Sequence, residues 1–359
     1  MTSHHDPLDQ HTKPRIVAIV PCYNEEAAIG TVVRDLRAAV PDMDIYVYDN
    51  RSSDRTAEVA RAAGAIVRTE SRPGKGNVVR RAFSDIDADI YVMIDGDDTY
   101  DAAALPAMIE LLQAGPLDHV LGVRRQEAHE PSAYRPGHEQ GNRMFNRLVG
   151  WLFGEQVTDM LSGYRVFSRR FVKSFPALSR EFEIETELTV HSMNLRVPQT
   201  EYPVGFKDRP PGSESKLRTY HDGFRILRLI GHLLQVERPL PFWGVVSTLL
   251  ALIGLAVGLP TVIEFYNPAS PRFGYIRVPS ATLGATFMLL AALALIVGII
   301  LQGVLRARQE AARLAYLQWD PPPTAPHLDR VIETVTYPGS DEVNIVEKVY
   351  ATDNVPVSA

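Results

Sequence analysis

Ile90-Tyr91-Val92-Met93-Ile94-Asp95-Gly96-Asp97-Asp98 decides the reading of this 359-residue chain: an apolar run that ends in carboxylates spaced by one glycine. A run this short, rich in β-branched and aromatic residues, reads as a buried strand, and its polar end as the loop that follows. The same signature occurs twice upstream. IVAIVP (16–21) runs into Cys22-Tyr23-Asn24-Glu25-Glu26, and IYVYD (45–49) into Asn50-Arg51-Ser52-Ser53-Asp54. AIVR (65–68) and HVLGV (119–123) complete the set, with helical patterns at about 25–39, 55–63, 77–86 and 102–113 between the strands. This alternation predicts an α/β fold, a mostly parallel sheet with helices on both faces. Ligands of such sheets lie beyond the carboxyl ends of the strands, where the polar runs fall.

Composition narrows the class. A formal net charge of -6 gives no global basic bias toward nucleic acid. The single cysteine, Cys22, excludes an intramolecular disulfide and a cysteine-built zinc site, and its place after an apolar run predicts a buried thiol. Residues 1–14 are polar and lack the apolar core of a signal peptide, so they read as a disordered tail and the domain at 15–216 as cytosolic. His4, His5 and His11 read as tail residues rather than metal ligands.

Hydropathy is uneven. No charged residue occurs from Phe242 to Ile263 or from Val278 to Leu305, and each run is long enough to cross a hydrocarbon core of roughly 30 Å. With the short connection Glu264–Arg277 they predict a transmembrane hairpin over 241–305, its spans at about 242–263 and 281–304. Arg218, Arg225, Arg228 and Arg238 precede it, and Arg306, Arg308 and Arg313 follow. Only Arg272 and Arg277 lie in the connection, so the positive-inside rule puts both flanks and both termini on the cytoplasmic side of the cell's inner membrane. Residues 217–240 read as a juxtamembrane amphipathic helix, with Phe224, Leu227, Ile230, Leu233 and Leu234 at helical spacing. It suits the headgroup layer or a face of the globular domain. In the cytoplasmic tail 306–359, VIETVTY and VNIVEKVY leave a small β addition and a disordered segment both open.

Asp95 and Asp97, one residue apart at a strand end, can converge on one hard cation. Mg²⁺ and Mn²⁺ take oxygen ligands and bridge carboxylates to phosphates, and no histidine or thiol adjoins the pair in sequence to favour zinc. Asp98 reads as a helix cap, and Asn24 and Asp54 could cap the helices after them. Three polar strand ends on one edge nonetheless predict a nucleotide pocket, with Asp49 to accept a base N–H and Glu25 near the base or ribose. Arg72-Pro73-Gly74-Lys75-Gly76-Asn77 opens a helix, where glycines admit a ligand and Lys75 favours an anion. The spacings of a P-loop and of GxGxxG are both absent.

Taken in order, PCYNEE, DNRSSD, GKGN, DGDD, DMLSGYR and RPPGSESKL resemble the family 2 glycosyltransferases of GT-A fold. The resemblance is nearest the dolichol-phosphate-mannose synthase and bacterial GtrB-like branch, which glycosylates polyprenyl phosphates, and it covers roughly residues 14–240. It implies a nucleotide-sugar donor, a polyprenyl-phosphate acceptor at the lipid bilayer, Mg²⁺ or Mn²⁺, and a homo-oligomer, a tetramer in the family. Asp97 with Asp95, spaced by Gly96, would hold the metal on the donor diphosphate. Pro21, Tyr23, Glu25 and Asp49, with Lys75, would line the donor site. Asp159 would lie near the donor sugar or the acceptor, with Gly163 and Arg165 shaping that wall. Arg209, Ser213, Ser215 and Lys216 would form a loop closing on the phosphates. Arg124, with Arg135 and Arg143, would hold the acceptor phosphate.

An acceptor that is already anionic needs no strong base, so the work implied is screening of charge and stabilisation of the leaving diphosphate. In-line attack would invert the anomeric configuration. UDP is preferred by analogy, with UDP-hexose or UDP-N-acetylhexosamine as donor. Two other readings have opposing features. A processive polysaccharide synthase carries QxxRW, whereas Gln235-Val236-Glu237-Arg238 is followed by Pro239 and two spans cannot enclose a polymer. An inactive membrane-bound scaffold would be expected to lack Asp95, Asp97, Arg209 or Lys216, and all are present.

Overall fold

The computed structural model describes residues 13–115, 117–126, 158–177, 184–207, 231, 234–275, 277–323, 328–336 and 343–351, with Gln126 and the last two segments as backbone only. The chain divides into two compact units, Met1–Ser215 with Ala312–Ala359, and Lys216–Ala311.

The first unit begins with the expected alternation: β1 (Ile16–Cys22), α1 (Ile29–Ala39), β2 (Asp44–Asp49), α2 (Thr56–Ala62), β3 (Ile66–Thr69), α3 (Lys75–Asp85) and β4 (Ile90–Met93). After a short 3-10 turn come α4 (Leu105–Gln113), β5 (His119–Gln126), β6 (Arg165–Ser168), α5 (Arg169–Ser174), α6 (Ile184–Leu195) and β7 (Gln199–Phe206). The seven strands form one sheet in the order β3-β2-β1-β4-β6-β5-β7. Strands β1 to β4 run parallel, as do β5 and β7, while β6 is antiparallel to both its neighbours.

Period-two alternation builds two cores. Ala18 and Val20 of β1 pack on one face with Ile45, Val47, Val92, Leu36 and Met108, while Val17 and Ile19 pack on the other with Tyr46, Tyr48, Met93, Val79 and Phe83. On the second face Phe83 meets Tyr91, Phe167 and Phe175 edge-on at 6.1, 6.1 and 6.0 Å between ring centres. Such pairs each add about 0.5–1.5 kcal/mol beyond the area they bury. The first helix starts at Ile29 rather than near 25 because the Glu25 and Glu26 amides donate to Thr56 Oγ1 (2.9 Å) and Asp54 Oδ2 (3.1 Å), holding that segment as a loop. The third starts at Lys75, launched by Gly74 at φ 112°, a conformation costly for residues with a side chain.

Two histidines sit in the aromatic core. His119 stacks on Phe167 at 5.0 Å, and His191 meets Phe171 and Phe175 edge-on, each at 5.2 Å, its Nε2 3.1 Å from Ser174 Oγ. Burial lowers both, His191 to about 4. Between pH 6.5 and about 4 the unfolded chain takes up a proton that folded His191 refuses, so stability is lost as the pH falls through that window. Lowering the pH from 7 to 5 costs about 2 kcal/mol through His191. His191→Gln flattens that part of the acid limb, as read from unfolding midpoints of the purified protein across this range. An unchanged limb would remove His191 as its source.

The Ala312–Ala359 portion also belongs to this unit. Asp118, with no exposed surface, accepts from Ser168 Oγ (2.6 Å), from Arg170 Nε and Nη2 (2.5 and 2.7 Å) and from the Tyr316 hydroxyl (2.7 Å). The Arg170 guanidinium lies over the Tyr316 ring at 4.7 Å and that of Arg169 over Trp319 at 4.6 Å. The tail question resolves toward structure: β8 (Leu328–Thr336) and β9 (Val343–Ala351) form a two-stranded antiparallel sheet.

In the second unit α7 (Pro239–Tyr266) pairs with α8 (Val278–Leu317), whose last residues pass into the first unit. Both are long and apolar enough to cross a membrane. Small residues let the backbones touch: a Cβ on Gly284 would fall 2.7 Å from Gly258 Cα, and one on Gly254 3.1 Å from Gly284 O. Ser247 Oγ donates to Ala291 O at 2.7 Å, and the hydroxyls of Thr261 and Ser280 are 3.1 Å apart. In the connection Glu264 pairs with both Arg272 (3.3 Å) and Arg277 (3.2 Å). Of the segment read as an amphipathic helix, residues 217–230, 232 and 233 lie outside the described residues; 231 and 234–237 are helical.

Candidate active site

The parallel strands β1, β2 and β4 end on the same edge of the sheet, and their polar runs meet there. Cys22 closes β1 and its carbonyl accepts from the Asn50 amide (2.8 Å). The Cys22 thiol is fully packed and is pushed well up by burial, then by the carboxylates of Glu25, Asp49, Asp95 and Asp97, which all act on it. It is a buried thiol, as its position in sequence implies. Gly96 fits against it: a Cβ there would fall 2.4 Å from Cys22 Sγ and 3.4 Å from Pro21 O. Asp97 is 6% exposed and its Oδ1 accepts from Thr99 Oγ1 (2.7 Å) and the Thr99 amide (3.3 Å). Asp98, at φ 59°, pairs with Lys207 at 2.7 Å rather than capping α4, where Asp101 accepts from the Ala103 amide at the turn before it.

Asp49, at the end of β2, is buried and accepts from the Ser52 amide (3.3 Å). Tyr23 is exposed at the rim, while Pro21 and Glu25 are half-buried. Asn24 does not cap α1. Its Oδ1 accepts from the Ser53 amide at 2.7 Å and ties the first polar loop to the second. Asp54 accepts from the Thr56 amide (3.0 Å) at the head of α2.

Asn50 of the DNRSSD run is the clamp of the next loop. Its Oδ1 accepts from the Gly74 amide (2.8 Å), and its Nδ2 donates to Glu70 O (3.0 Å) and Arg72 O (2.6 Å). Lys75 is thereby set at the start of α3. The ammonium does not lie open to solvent. It is held between Asp95 Oδ1 and Glu185 Oε1, with the side chains of Lys75 and Glu185 9% and 6% exposed. Burial alone would lower Lys75; Asp95 and Glu185 outweigh it and hold it above the ordinary lysine value.

The opposite wall comes from residues 158–163. Arg124 on β5 forms a two-pronged pair with Asp159, Nε to Oδ2 and Nη2 to Oδ1 both at 2.7 Å, and its guanidinium lies 5.3 Å from the centre of the Phe206 ring. Gly163 touches the carboxylate edge directly, since a Cβ there would fall 2.3 Å from Asp95 Oδ2. The Gly163 amide donates to the Tyr100 hydroxyl at 2.9 Å. Arg165, which the resemblance implies shapes the wall, is wholly buried beneath it. It donates to Ser162 O (2.9 Å), Met160 O (2.7 Å) and Thr189 Oγ1 (2.9 Å), and burial lowers it to about 10, so it remains a cation. Glu201 accepts from the amide and hydroxyl of Thr158 at 2.7 and 2.6 Å and fixes the loop's other end.

Arg135, Arg143, Arg209, Ser213, Ser215 and Lys216 lie outside the described residues. Glu185, Asn50, Tyr100 and Glu201 were not singled out in sequence. Nothing local in FEIETE marks Glu185 as the glutamate that turns inward; only its partner, 110 residues away, does. A separate cavity of about 490 Å³ lies at the far edge of the sheet, lined among others by Arg15, Asp42, Asp44 and Glu110. It opens at the amino ends of β1 and β2, away from where parallel sheets bind ligands.

Residues 17–175 match the family model described as glycosyl transferase family 2. Over 255 residues the chain is 34% identical to glycosyltransferase AglJ of Haloferax volcanii, spanning 71% of this chain and 83% of that relative. It is 29% identical over 233 residues to the dolichyl-phosphate hexose transferase of the same organism, 64% of this chain and 99% of the relative. Among solved structures, glucosyl-3-phosphoglycerate synthase from Mycobacterium tuberculosis, in complex with Mn²⁺, UDP and phosphoglyceric acid, matches with a TM-score of 0.51 at 23% identity. That match covers 62% of this chain and 78% of the other and is a likeness of fold.

Proposed function

This chain belongs to glycosyl transferase family 2, and from that premise we propose that it moves a hexose or N-acetylhexosamine from a UDP-sugar to a polyprenyl phosphate at the cytoplasmic membrane face. One observation carries the reading. The carboxylate edge of Asp95 and Asp97 and the Arg124–Asp159 pair are joined by a single short loop, residues 159–163, locked by Arg165 and Tyr100. An acid edge suited to a metal diphosphate thus adjoins a fork suited to a second phosphate. The helices α7 and α8 and the likeness to a dolichyl-phosphate hexose transferase support a lipid as the carrier of that second phosphate.

The donor set fits a hard divalent ion. Among the described residues no group of three or more histidine, cysteine, aspartate or glutamate side chains is placed to hold a metal. Asp95 and Asp97 would supply carboxylate oxygen to the ion and leave other positions to phosphate and water. That is how Mg²⁺ and Mn²⁺ bind in phosphate-handling sites. When bound there, the ion would neutralise the charge developing on the leaving diphosphate.

The residues of the chain do the rest. Asp49, Glu25, Pro21 and Tyr23 form the nucleotide end of the edge. The Arg124 guanidinium, pre-oriented by Asp159, takes the acceptor phosphate and screens its repulsion from the donor. A phosphate oxygen attacks the anomeric carbon from the face opposite the diphosphate. The bond to the diphosphate breaks, its electron pair leaves with UDP, and the sugar ends inverted on the lipid phosphate. No proton needs to be removed, because the acceptor is already an anion. The test is a donor screen in which membranes bearing the protein receive each nucleotide sugar and a polyprenyl phosphate. A new lipid-phosphate hexose or N-acetylhexosamine, weighed by mass spectrometry, is the expected product. Sugar appearing only in polymer or only on a soluble acceptor would overturn the assignment.

A further inference from the structure

Lys75, Asp95 and Glu185 form a trio of one cation and two anions in which the Lys75 and Glu185 side chains are buried and that of Asp95 is partly exposed. Asp95 Oδ1 accepts from the ammonium, while its Oδ2 is the oxygen against which Gly163 packs. A metal approaching Asp95 therefore meets an ammonium already on that carboxylate. Two cations at contact distance on one carboxylate repel, and burial of the ammonium weakens the screening of that repulsion by water. Glu185 adds a second observation. Its Oε1 holds the same ammonium, yet its Oε2 is buried and has no hydrogen-bond partner among the described residues, an expensive state for a carboxylate oxygen. The backbone beneath Lys75 is fixed by the Asn50 clamp on Gly74, so the freedom left to this group is in its side chain.

We propose that Lys75 is an internal counter-ion that occupies the Asp95 carboxylate and is displaced from it when a divalent cation binds, with Glu185 as the positioning residue that receives it. The N–H released by Asp95 passes to Glu185 Oε2, which satisfies the buried oxygen and keeps the ammonium beside the carboxylate edge. Metal binding is then an exchange of one cation for another at Asp95. The protein alone holds a divalent ion weakly, and tight binding waits for the anionic donor. This inference rests on Asp95 and Asp97 being the metal pair.

Mn²⁺ binding in the absence of donor tests it, read from the free-ion electron paramagnetic resonance signal on full-length protein in detergent. Lys75→Met/Glu185→Gln removes one cation and one anion together, so the formal charge of the trio is unchanged while the ammonium on Asp95 is gone. Replacing a buried ion pair by neutral groups of similar size is tolerated by folds. The double variant is expected to bind Mn²⁺ about tenfold more tightly than the unaltered protein. Lys75→Met alone also tightens binding, and Asp97→Asn weakens it. A double variant that binds Mn²⁺ no better than the unaltered protein would overturn the exchange and leave the metal pair standing. Absence of Mn²⁺ binding in every form, with or without UDP, would remove the metal pair and the exchange with it. The mass-spectrometric donor screen remains an independent measure of sugar transfer.

Discussion

Asp97→Asn lowers sugar transfer to polyprenyl phosphate by about a thousandfold or more while the protein stays folded and membrane-bound. The expectation follows from where Asp97 sits. It is almost fully buried in the loop that follows β4, and its Oδ1 already accepts from the hydroxyl and amide of Thr99. Asparagine has the same shape and keeps an acceptor oxygen for both, so the local turn survives. What it loses is the charge, and a neutral amide is a poor ligand for a hard cation on a diphosphate. Turnover and the thermal midpoint are measured on the same preparation. A variant that retains substantial turnover with an unchanged midpoint would take the metal away from this residue.

The second large effect is expected at Arg124. Removing the side chain in Arg124→Ala lowers kcat/KM for polyprenyl phosphate by about a hundredfold to a thousandfold, with the donor KM changed by less than about threefold. The fork on Asp159 is two bonds of 2.7 Å, so its loss also leaves a buried carboxylate without its main partner. Part of the effect of alanine is therefore on stability. Arg124→Lys separates the two contributions, because lysine keeps the charge beside Asp159 but not the planar fork. It is expected to restore the thermal midpoint and only part of the acceptor kinetics. Equal losses for donor and acceptor in the lysine variant would move the acceptor phosphate elsewhere.

The part of the fold that could be read from the chain is the part built from local periodicity. Strands β1, β2 and β4 are apolar on alternating faces, each ends in a polar run, and intervening helices match. Strand β6 escaped because it is four residues long and begins with an arginine, and its partners lie about forty or more residues away along the chain. Strand β7 carries Pro203, which argues against a central strand; it lies at the edge of the sheet, where a missing amide is tolerated. The same division holds in the site. Asp95 and Asp97 stand out because both carboxylates lie in one short loop. Glu185 reaches Lys75 from a distant helix, and a single sequence offers no signal for that meeting. Arg165 was legible as a residue that would shape the wall, and its side chain supports that wall from below.

The contact of Asp118 with Tyr316 has a practical consequence for dissecting this protein. Cutting the chain ahead of the apolar hairpin to obtain a water-soluble catalytic fragment also discards residues 312–319. Asp118 would keep Ser168 and Arg170 but lose the tyrosine hydroxyl, and the guanidinium of Arg170 would lose the ring beneath it. Trp319 would likewise be stripped from Arg169. The catalytic unit is discontinuous in sequence, and a faithful fragment is made by joining its two stretches through a linker, not by truncation.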